Sequence, residues 1–171
     1  MKPALLLLPL SVLIAPGPRR GGDIHQDVLN TIATFKEKDA GIGKFFDGAV
    51  GYAVFPVVGK GAIGVGGAHG SGELLVGGKA IGKVSLNQVT VGLQFGGQAY
   101  SEIIFFEKQS TLDGFTHGDF AFAAQASAVA LTAGAAATAA YRNGVAVFTA
   151  EKGGLMYEAS IGGQKFSFKP Y

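Results

Sequence analysis

Cysteine is absent from this chain of 171 residues. The protein therefore forms no disulfide and offers no thiolate ligand to a metal ion. Without a cysteine it also has no acceptor for an N-terminal lipid of the lipoprotein type. What the chain does have is 48% apolar residues and 28 glycines. That composition is far from a disordered profile and suits tight turns and closely approaching strands.

A basic surface is also missing from the predicted folded part. The chain has 14 Lys and Arg against 12 Asp and Glu, but Lys2, Arg19 and Arg20 all lie in the first 22 residues. The rest of the chain is therefore close to neutral, with a slight acidic excess. Because nucleic-acid binding requires clustered cations on the domain itself, no nucleic-acid partner is predicted.

Residues 1–22 have the outline of a secretory signal, which we call the leader. Lys2 provides a positive start, residues 4–15 are apolar, and Arg19 and Arg20 lie in a flexible end. The apolar stretch is short for a membrane span. We expect an exported protein of the periplasm or cell envelope, soluble or peripherally attached to a membrane. An uncleaved, membrane-tethered leader is the alternative. Residues 23–171 then form a single domain of ordinary length.

The first element after the leader reads as an amphipathic helix. Asp23 is a suitable N-cap, with Gln26 three residues later as in a capping box. Ile24, Val28 and Ile32 fall on one side of a helix that runs to about Lys38, and Phe35 extends this apolar stripe. A short basic and aromatic patch, Lys44, Phe45 and Phe46, follows Gly41 and Gly43.

The remaining sequence predicts strands separated by glycines. GYAVF at 51–55 returns as GVAVF at 144–148, and each copy precedes a Lys-Gly turn with a second apolar run, GKGAI at 59–63 and EKGGL at 151–155. Two such units predict two equivalent hairpins. We therefore predict an α+β domain, with the N-terminal helix packed on a twisted, mainly antiparallel sheet or a partly closed barrel.

Local signals refine this prediction. Pro56 cannot donate a ladder hydrogen bond, so it marks an edge strand or a bulge. A helical turn is expected at 111–116, and Asn143-Gly144 predicts a hairpin turn that begins the strand GVAVFTA. Alternating residues favour a strand from 120 to about Leu131, followed by a small-residue loop, although the alanine content of 120–141 also permits a helix.

Signals for catalysis and for metal binding are weak. Gly59, Gly61 and Gly64 spell GxGxxG, but the segment that follows is too glycine-rich for the helix that a dinucleotide site requires. His25, His69 and His117 have no ligand spacing. Glu102 and Glu107 lie five residues apart on one predicted strand, so they point to opposite faces. No enzyme activity, cofactor or metal is therefore predicted.

Several long motifs resemble the SYLF-domain family in its exported bacterial branch. They are GYAVFPVVGKGAIGVGGAHGSGEL, QFGGQAYSEIIFF, FAAQASAVALTAG and GVAVFTAEKGGLMYEASIGGQKFSF, in the family's order, within residues 30–168. The resemblance implies a non-catalytic lipid-binding module. Bacterial members are described as lipid-binding proteins of the cell envelope, and eukaryotic members associate with phosphoinositide membranes and some with actin.

A membrane contact of this kind would use the N-terminal segment. An amphipathic helix buries its apolar face at the acyl boundary while lysines meet phosphate head groups, and Glu37 and Asp39 would weaken that attraction. The expected partner is a phospholipid or membrane surface. Packing of the apolar stripe on the sheet, and a small cavity for one acyl chain, are the alternatives. The predicted lipid-binding residues are Ile32, Phe35, Lys36, Lys38, Lys44, Phe45, Phe46 and Lys60, although Lys60 also suits a plain solvated turn.

A structural or protein-interaction module of the envelope is the rival interpretation, and it includes a small outer-membrane β-barrel. Such a barrel commonly has aromatic residues in phase with a terminal aromatic residue. Phe166 and Phe168 are out of phase with Tyr171, which favours a soluble domain.

Overall fold

The computed structural model describes residues 23–60, 67–89, 99–122, 126–152 and 159–171. The predicted leader lies outside these residues. So do the second halves of the two predicted hairpin units, 61–66 and 153–158, and the side chain of Lys60.

The N-terminal helix forms where the sequence predicts it. Helix α1 is Ile24–Lys38, and the Asp23 side chain caps it by accepting a hydrogen bond from the backbone N–H of His25. The reciprocal bond of a capping box is not made, because Gln26 donates to Asn30 instead. A 3₁₀ turn, Ala40–Ile42, and helix α2, Gly43–Gly48, follow. Two further short helices are α3, Gln109–Thr116, and α4, Ala135–Thr138.

The described strands form one mixed sheet that is mainly antiparallel, and its order is β7-β5-β6-β4-β1-β2-β3-β8. Within the described residues the sheet stays open and does not close into a barrel. The predicted α+β class is therefore confirmed, with the open sheet and not the partly closed barrel. Only the β5–β6 pair is parallel among these strands. The strands are β1 Gly51–Lys60, β2 Gly67–Val76, β3 Lys79–Val89, β4 Ala99–Phe106, β5 Ser127–Ala130, β6 Val145–Glu151, β7 Ala159–Ser160 and β8 Gln164–Pro170.

The Pro56 signal marks a bulge in a central strand. The pairing register of β1 shifts between Val54 and Val57 against β2, and β1 lies between β4 and β2. The Pro56 carbonyl accepts a hydrogen bond of 2.7 Å from the Ser101 hydroxyl. Gly72 faces this bulge, where a Cβ atom would overlap the Val54 carbonyl oxygen. Proline and glycine therefore act together to bring the two backbones close.

The repeated GYAVF and GVAVF segments occupy equivalent places in the sheet. They form β1 and β6, which pair with opposite edges of β4. The first unit is a hairpin, since β1 pairs with β2. In the second unit, β6 pairs with β5 at Phe148 and Thr149, and β7 pairs with β5. Residues 153–158, the second run of that unit, lie outside the described residues, so the second hairpin stays a prediction.

The region between 120 and 141 has a short strand and a short helix. Of the predicted strand, the described residues form β5 and a single antiparallel bridge between Ala121 and Lys165, while 123–125 lie outside them. The predicted loop contains the one-turn helix α4. The turn at Asn143-Gly144 is confirmed, because both residues adopt positive φ, 52° and 83°. Asparagine and glycine are the residues that tolerate this backbone best.

Each face of the sheet supports a hydrophobic cluster. On the first face, α3 and Phe120 and Phe122 pack against residues from several strands, including Phe55, Phe106 and Phe166. On the second face, α1, α2 and α4 cover the neighbouring strands β1, β4 and β6. On β2, β3 and β8 this second face has polar side chains that are cross-strand partners. Among the described helices, only the first turn of α1 lies against them.

Candidate functional site: the N-terminal helical layer and its neighbours

The apolar stripe of α1 faces the sheet. Val28 and Phe35 are fully buried, and Ile32 is partly buried against the same cluster. Packing on the sheet, the alternative left open by the sequence, is therefore the arrangement of this stripe in the structure. Leu29, at the margin of the stripe, is 41% exposed.

The aromatic residues of α2 also pack inward. The Phe45 ring lies 4.9 Å from that of Phe148, and the Phe46 ring lies 4.8 Å from that of Phe105. Phe45 is buried and Phe46 is partly exposed. Insertion of Phe35 or Phe45 into a bilayer, as the sequence suggested, would thus require the N-terminal helical layer, which consists of α1, the 3₁₀ turn and α2, to leave the sheet.

The lysines of this layer lie outside the aromatic cluster. The Lys36 ammonium is 4.7 Å from the centre of the Phe46 ring, and the Lys44 ammonium is 5.0 Å from that of Phe45. Cation–π contacts at such exposed positions are worth about 0.5–1 kcal/mol. They hold both ammonium groups beside the rings, with the exposed Lys38 between them in sequence. The layer thus presents cations outward and aromatic rings inward.

The side chain of Asp39 points inward, while its charge still interacts with that of Lys44. Its carboxylate accepts a 2.7 Å hydrogen bond from the Ala136 N–H of α4 and a 3.0 Å bond from the Gly41 N–H. The bond from Ala136 is the main reason that the pKa of Asp39 lies below its usual value. Glu37 remains exposed beside the lysines.

A buried polar cluster lies on the first face of the sheet, at the beginning of β4. Gln164 donates a 3.0 Å hydrogen bond to Glu102 and approaches the Tyr100 hydroxyl at 3.5 Å. Glu102 is fully buried, and this burial raises its pKa to about 8, although the bond from Gln164 opposes the shift. One oxygen each of Glu102 and Gln164 has no hydrogen-bond partner among the residues that the structure describes. Glu107, in contrast, is exposed. The two carboxylates therefore do not form a pair.

The histidines are separated as the sequence suggested. His25 contacts Glu73 at 2.7 Å, whereas His69 contacts Asn87 at 2.8 Å. His117 bonds to the Asp113 carbonyl within its own helix end. Within the described ranges, no group of three His, Asp or Glu side chains is arranged to hold a metal ion.

A polar groove on the second face was missed by the sequence analysis. It lies beside the first turn of α1 and has a volume of about 400 Å³. A signal for it exists, because KVSLN at 83–87 and KFSFK at 165–169 alternate polar and apolar residues with the period of a strand. We call it the Lys83–Lys169 groove; its lining includes Ile24, Ser71, Lys83, Ser85, Ser167 and Lys169.

The fold and these surfaces define a class of small α+β binding module. Residues 87–170 match the family described as Ysc84, Las17-binding protein actin regulator. This match confirms the resemblance to the SYLF-domain family that the motifs indicated. A comparison with curated proteins gave no match.

The match begins within β3 and extends to the end of β8. It therefore includes α3, α4 and the strands from β4 onward, whereas the N-terminal helical layer precedes it. A lipid- or actin-related binding module is the function that this family supports. Among the described helices, none has the length and apolar character needed to cross a membrane.

Proposed function

We propose that this protein is a non-catalytic phospholipid-binding protein of the cell envelope that docks on the membrane surface through its N-terminal helical layer. The observation that supports the proposal most directly is the outward placement of Lys36 and Lys44 over the rings of Phe46 and Phe45. The family match supports a binding module in general. Export to the periplasm or envelope rests on the leader sequence.

The charges act by attraction to phosphate head groups. Each lysine near an anionic surface contributes about 1 kcal/mol, and about 1.4 kcal/mol is a tenfold change in affinity. Lys36, Lys38 and Lys44 together therefore supply roughly two orders of magnitude in affinity, reduced by the exposed Glu37. Partly exposed Phe46 and Leu29 add a modest apolar contact.

Docking on the surface fits this structure better than enclosure of an acyl chain. The described part of the first face is filled by aromatic rings at contact distance, such as Phe115 and Phe166 with centres 5.0 Å apart. An acyl chain there would have to displace these rings. A helical layer with outward cations needs no such rearrangement.

Sedimentation with vesicles tests the proposal. We expect the full chain to sediment with vesicles that contain an anionic phospholipid. The double substitution Lys36→Glu and Lys44→Glu should weaken this binding on the order of a thousandfold at low salt, because it removes two cations and adds two anions. Both proteins have the same leader, so the difference does not arise from it.

The matched control is Lys108→Glu with Lys152→Glu, which makes the same change of charge at exposed positions away from the helical layer. This control should bind more tightly than the layer variant. Equal losses in both would show that net charge alone governs binding, and the layer would then have no special role. Absence of sedimentation with every vesicle composition would contradict phospholipid binding itself.

Protein binding is the second candidate, and the family description favours it because it names binding to Las17 and regulation of actin. An envelope interaction module of this kind would stay in the supernatant with vesicles. Co-sedimentation with actin filaments, in the absence of lipid, distinguishes the two functions. The lipid proposal predicts that the protein does not sediment with filaments under conditions in which it binds vesicles.

A further inference from the structure

We propose that the Lys83–Lys169 groove binds the phosphate group of an anionic phospholipid, with the two ammonium groups as counter-charges and serine hydroxyls as hydrogen-bond donors. The inference rests on the proposed function for the source of the phosphate. It concerns a different surface from the Lys36 and Lys44 side of the helical layer.

The first observation is a pair of like charges. Lys83 on β3 and Lys169 on β8 are directly opposite each other in the antiparallel register. Like charges in that position destabilise a sheet. Neither lysine makes a hydrogen bond or ion pair with another residue that the structure describes. An anion between them would replace this repulsion with two attractions.

The second observation is a row of hydroxyl groups next to the lysines. Ser71, Ser85 and Ser167 are cross-strand partners on β2, β3 and β8, on the same face as the lysines. The hydroxyl oxygens of Ser85 and Ser167 lie 2.5 Å apart. Since each hydroxyl both donates and accepts, the row can turn its O–H groups toward phosphate oxygens.

The carboxylate nearest to the lysines in the register is already engaged. Glu73 is the cross-strand partner of Lys83. It accepts hydrogen bonds from His25 and from the Tyr171 hydroxyl, and its side chain is 2% exposed. Glu73 therefore does not take the place of an anion in the groove. Asp23 is likewise occupied as the N-cap of α1.

The third observation is the position of α1. Ile24, the first residue of this 15-residue helix, lines the groove. A helix N-terminus favours an anion, and the two lysines and the hydroxyl row lie in the same groove. The Ile24 side chain adds an apolar wall, which suits the glycerol end of a phospholipid better than free phosphate. The groove volume of about 400 Å³ is sufficient for a phosphate with its glycerol.

The test combines vesicles with a soluble probe. We expect Lys83→Gln with Lys169→Gln to weaken binding of the full chain to phosphatidylcholine vesicles that contain phosphatidic acid, on the order of thirtyfold at low salt. The matched control, Lys79→Gln with Lys165→Gln, removes the same charge from exposed positions that do not line the groove. Its loss should be several times smaller.

Inorganic phosphate identifies the site directly. In the wild type it should shift the amide resonances of residues 83–85 and 167–169, and the groove variant should lose these shifts. Ser85→Ala, which leaves both charges, should weaken the shifts less. Thermal unfolding of each variant without phosphate checks the fold, and the groove variant should unfold no earlier than the wild type because it loses a repulsive pair.

The outcomes separate this inference from the proposed function. Equal vesicle binding by the groove variant and its control would overturn the groove as a phospholipid site. Loss of binding in the Lys36 and Lys44 variant would still leave the proposed function intact. Phosphate shifts in the groove without vesicle binding would overturn the phospholipid assignment, together with the proposed function. An absence of phosphate shifts together with unchanged vesicle binding would show that no phosphate binds there.

Discussion

On the second face of the sheet, helices cover one half and leave the other half open. On β1, β4 and β6 this face has large apolar side chains, such as Tyr52, Phe105 and Phe148, and the helical layer buries them. On β2, β3 and β8 the same face has serines and lysines that remain largely exposed. The backbone is one continuous sheet, so strand geometry does not make the difference.

The side chains at every second position of the strands decide which half of this face the helices bury. A helix with an apolar stripe gains free energy only where it removes apolar surface from water. Phe35 and Phe45 therefore pack over the aromatic half. On the other half a helix would have to desolvate Lys83 and Lys169, which is costly without partners. The open half is thus left accessible to a ligand.

The largest test of this comparison is truncation in the covered half. Phe105→Ala should lower the free energy of unfolding by about 3–5 kcal/mol, because the ring is fully buried and contacts four other aromatic rings. Urea denaturation measures this change. Ser85→Ala in the open half is the matched control and should change the free energy by about 1 kcal/mol or less. Similar losses at the two positions would remove the distinction between the halves.

The opposite face shows what burial of a charge costs. Burial raises the pKa of Glu102 from its ordinary value to about 8, so the folded state holds a proton that the unfolded state releases. Between about pH 5 and pH 8 its contribution to stability should fall by about 1.4 kcal/mol per pH unit as the pH rises. Glu102→Gln mimics the protonated acid, so it should be close to the wild type at pH 5 and more stable at pH 8.

Urea denaturation across this pH range measures the Glu102 effect. The difference between the wild type and the Glu102→Gln variant removes the contributions of all other groups. A constant difference at every pH would show that Glu102 ionises at its ordinary pKa despite its burial.

The smallest effect belongs to the open half. Lys83→Gln should raise the free energy of unfolding by a few tenths of a kcal/mol at low salt, because it removes the like charge opposite Lys169. The gain should vanish at about 1 M salt, where charges are screened within about 3 Å. Thermal unfolding at both salt concentrations measures it. Destabilisation by Lys83→Gln at low salt would mean that Lys83 makes a favourable contact and that the repulsion is absent.

Local features of the fold could be predicted from the sequence. Helix α1, the helical turn near 111–116 and the turn at Asn143-Gly144 depend on neighbouring residues, through helix periodicity, capping and positive φ. The Pro56 bulge follows from a missing N–H. The pairing of β7 with β5 could not be predicted, because the repeated motif describes single strands and does not specify which edge is free.

The candidate site divides in the same way. The lysines at 36, 38 and 44 and the aromatic residues beside them were predicted from the sequence. Their orientation was not, since an amphipathic stripe can face a bilayer or a sheet equally well. Lys83 and Lys169 were missed because they are 86 positions apart in the chain, and only the register of β3 with β8 makes them neighbours.

The sequence by itself determined the α+β class, the resemblance to the SYLF-domain family, and the lack of any thiol chemistry, because these depend on composition, local periodicity and motifs. Tertiary structure alone decided which rings are buried, that Glu102 lies in the core, and that two lysines share a groove. The reason is physical: burial and electrostatic interactions depend on distances in space between residues far apart in the chain, and a linear pattern does not specify those distances.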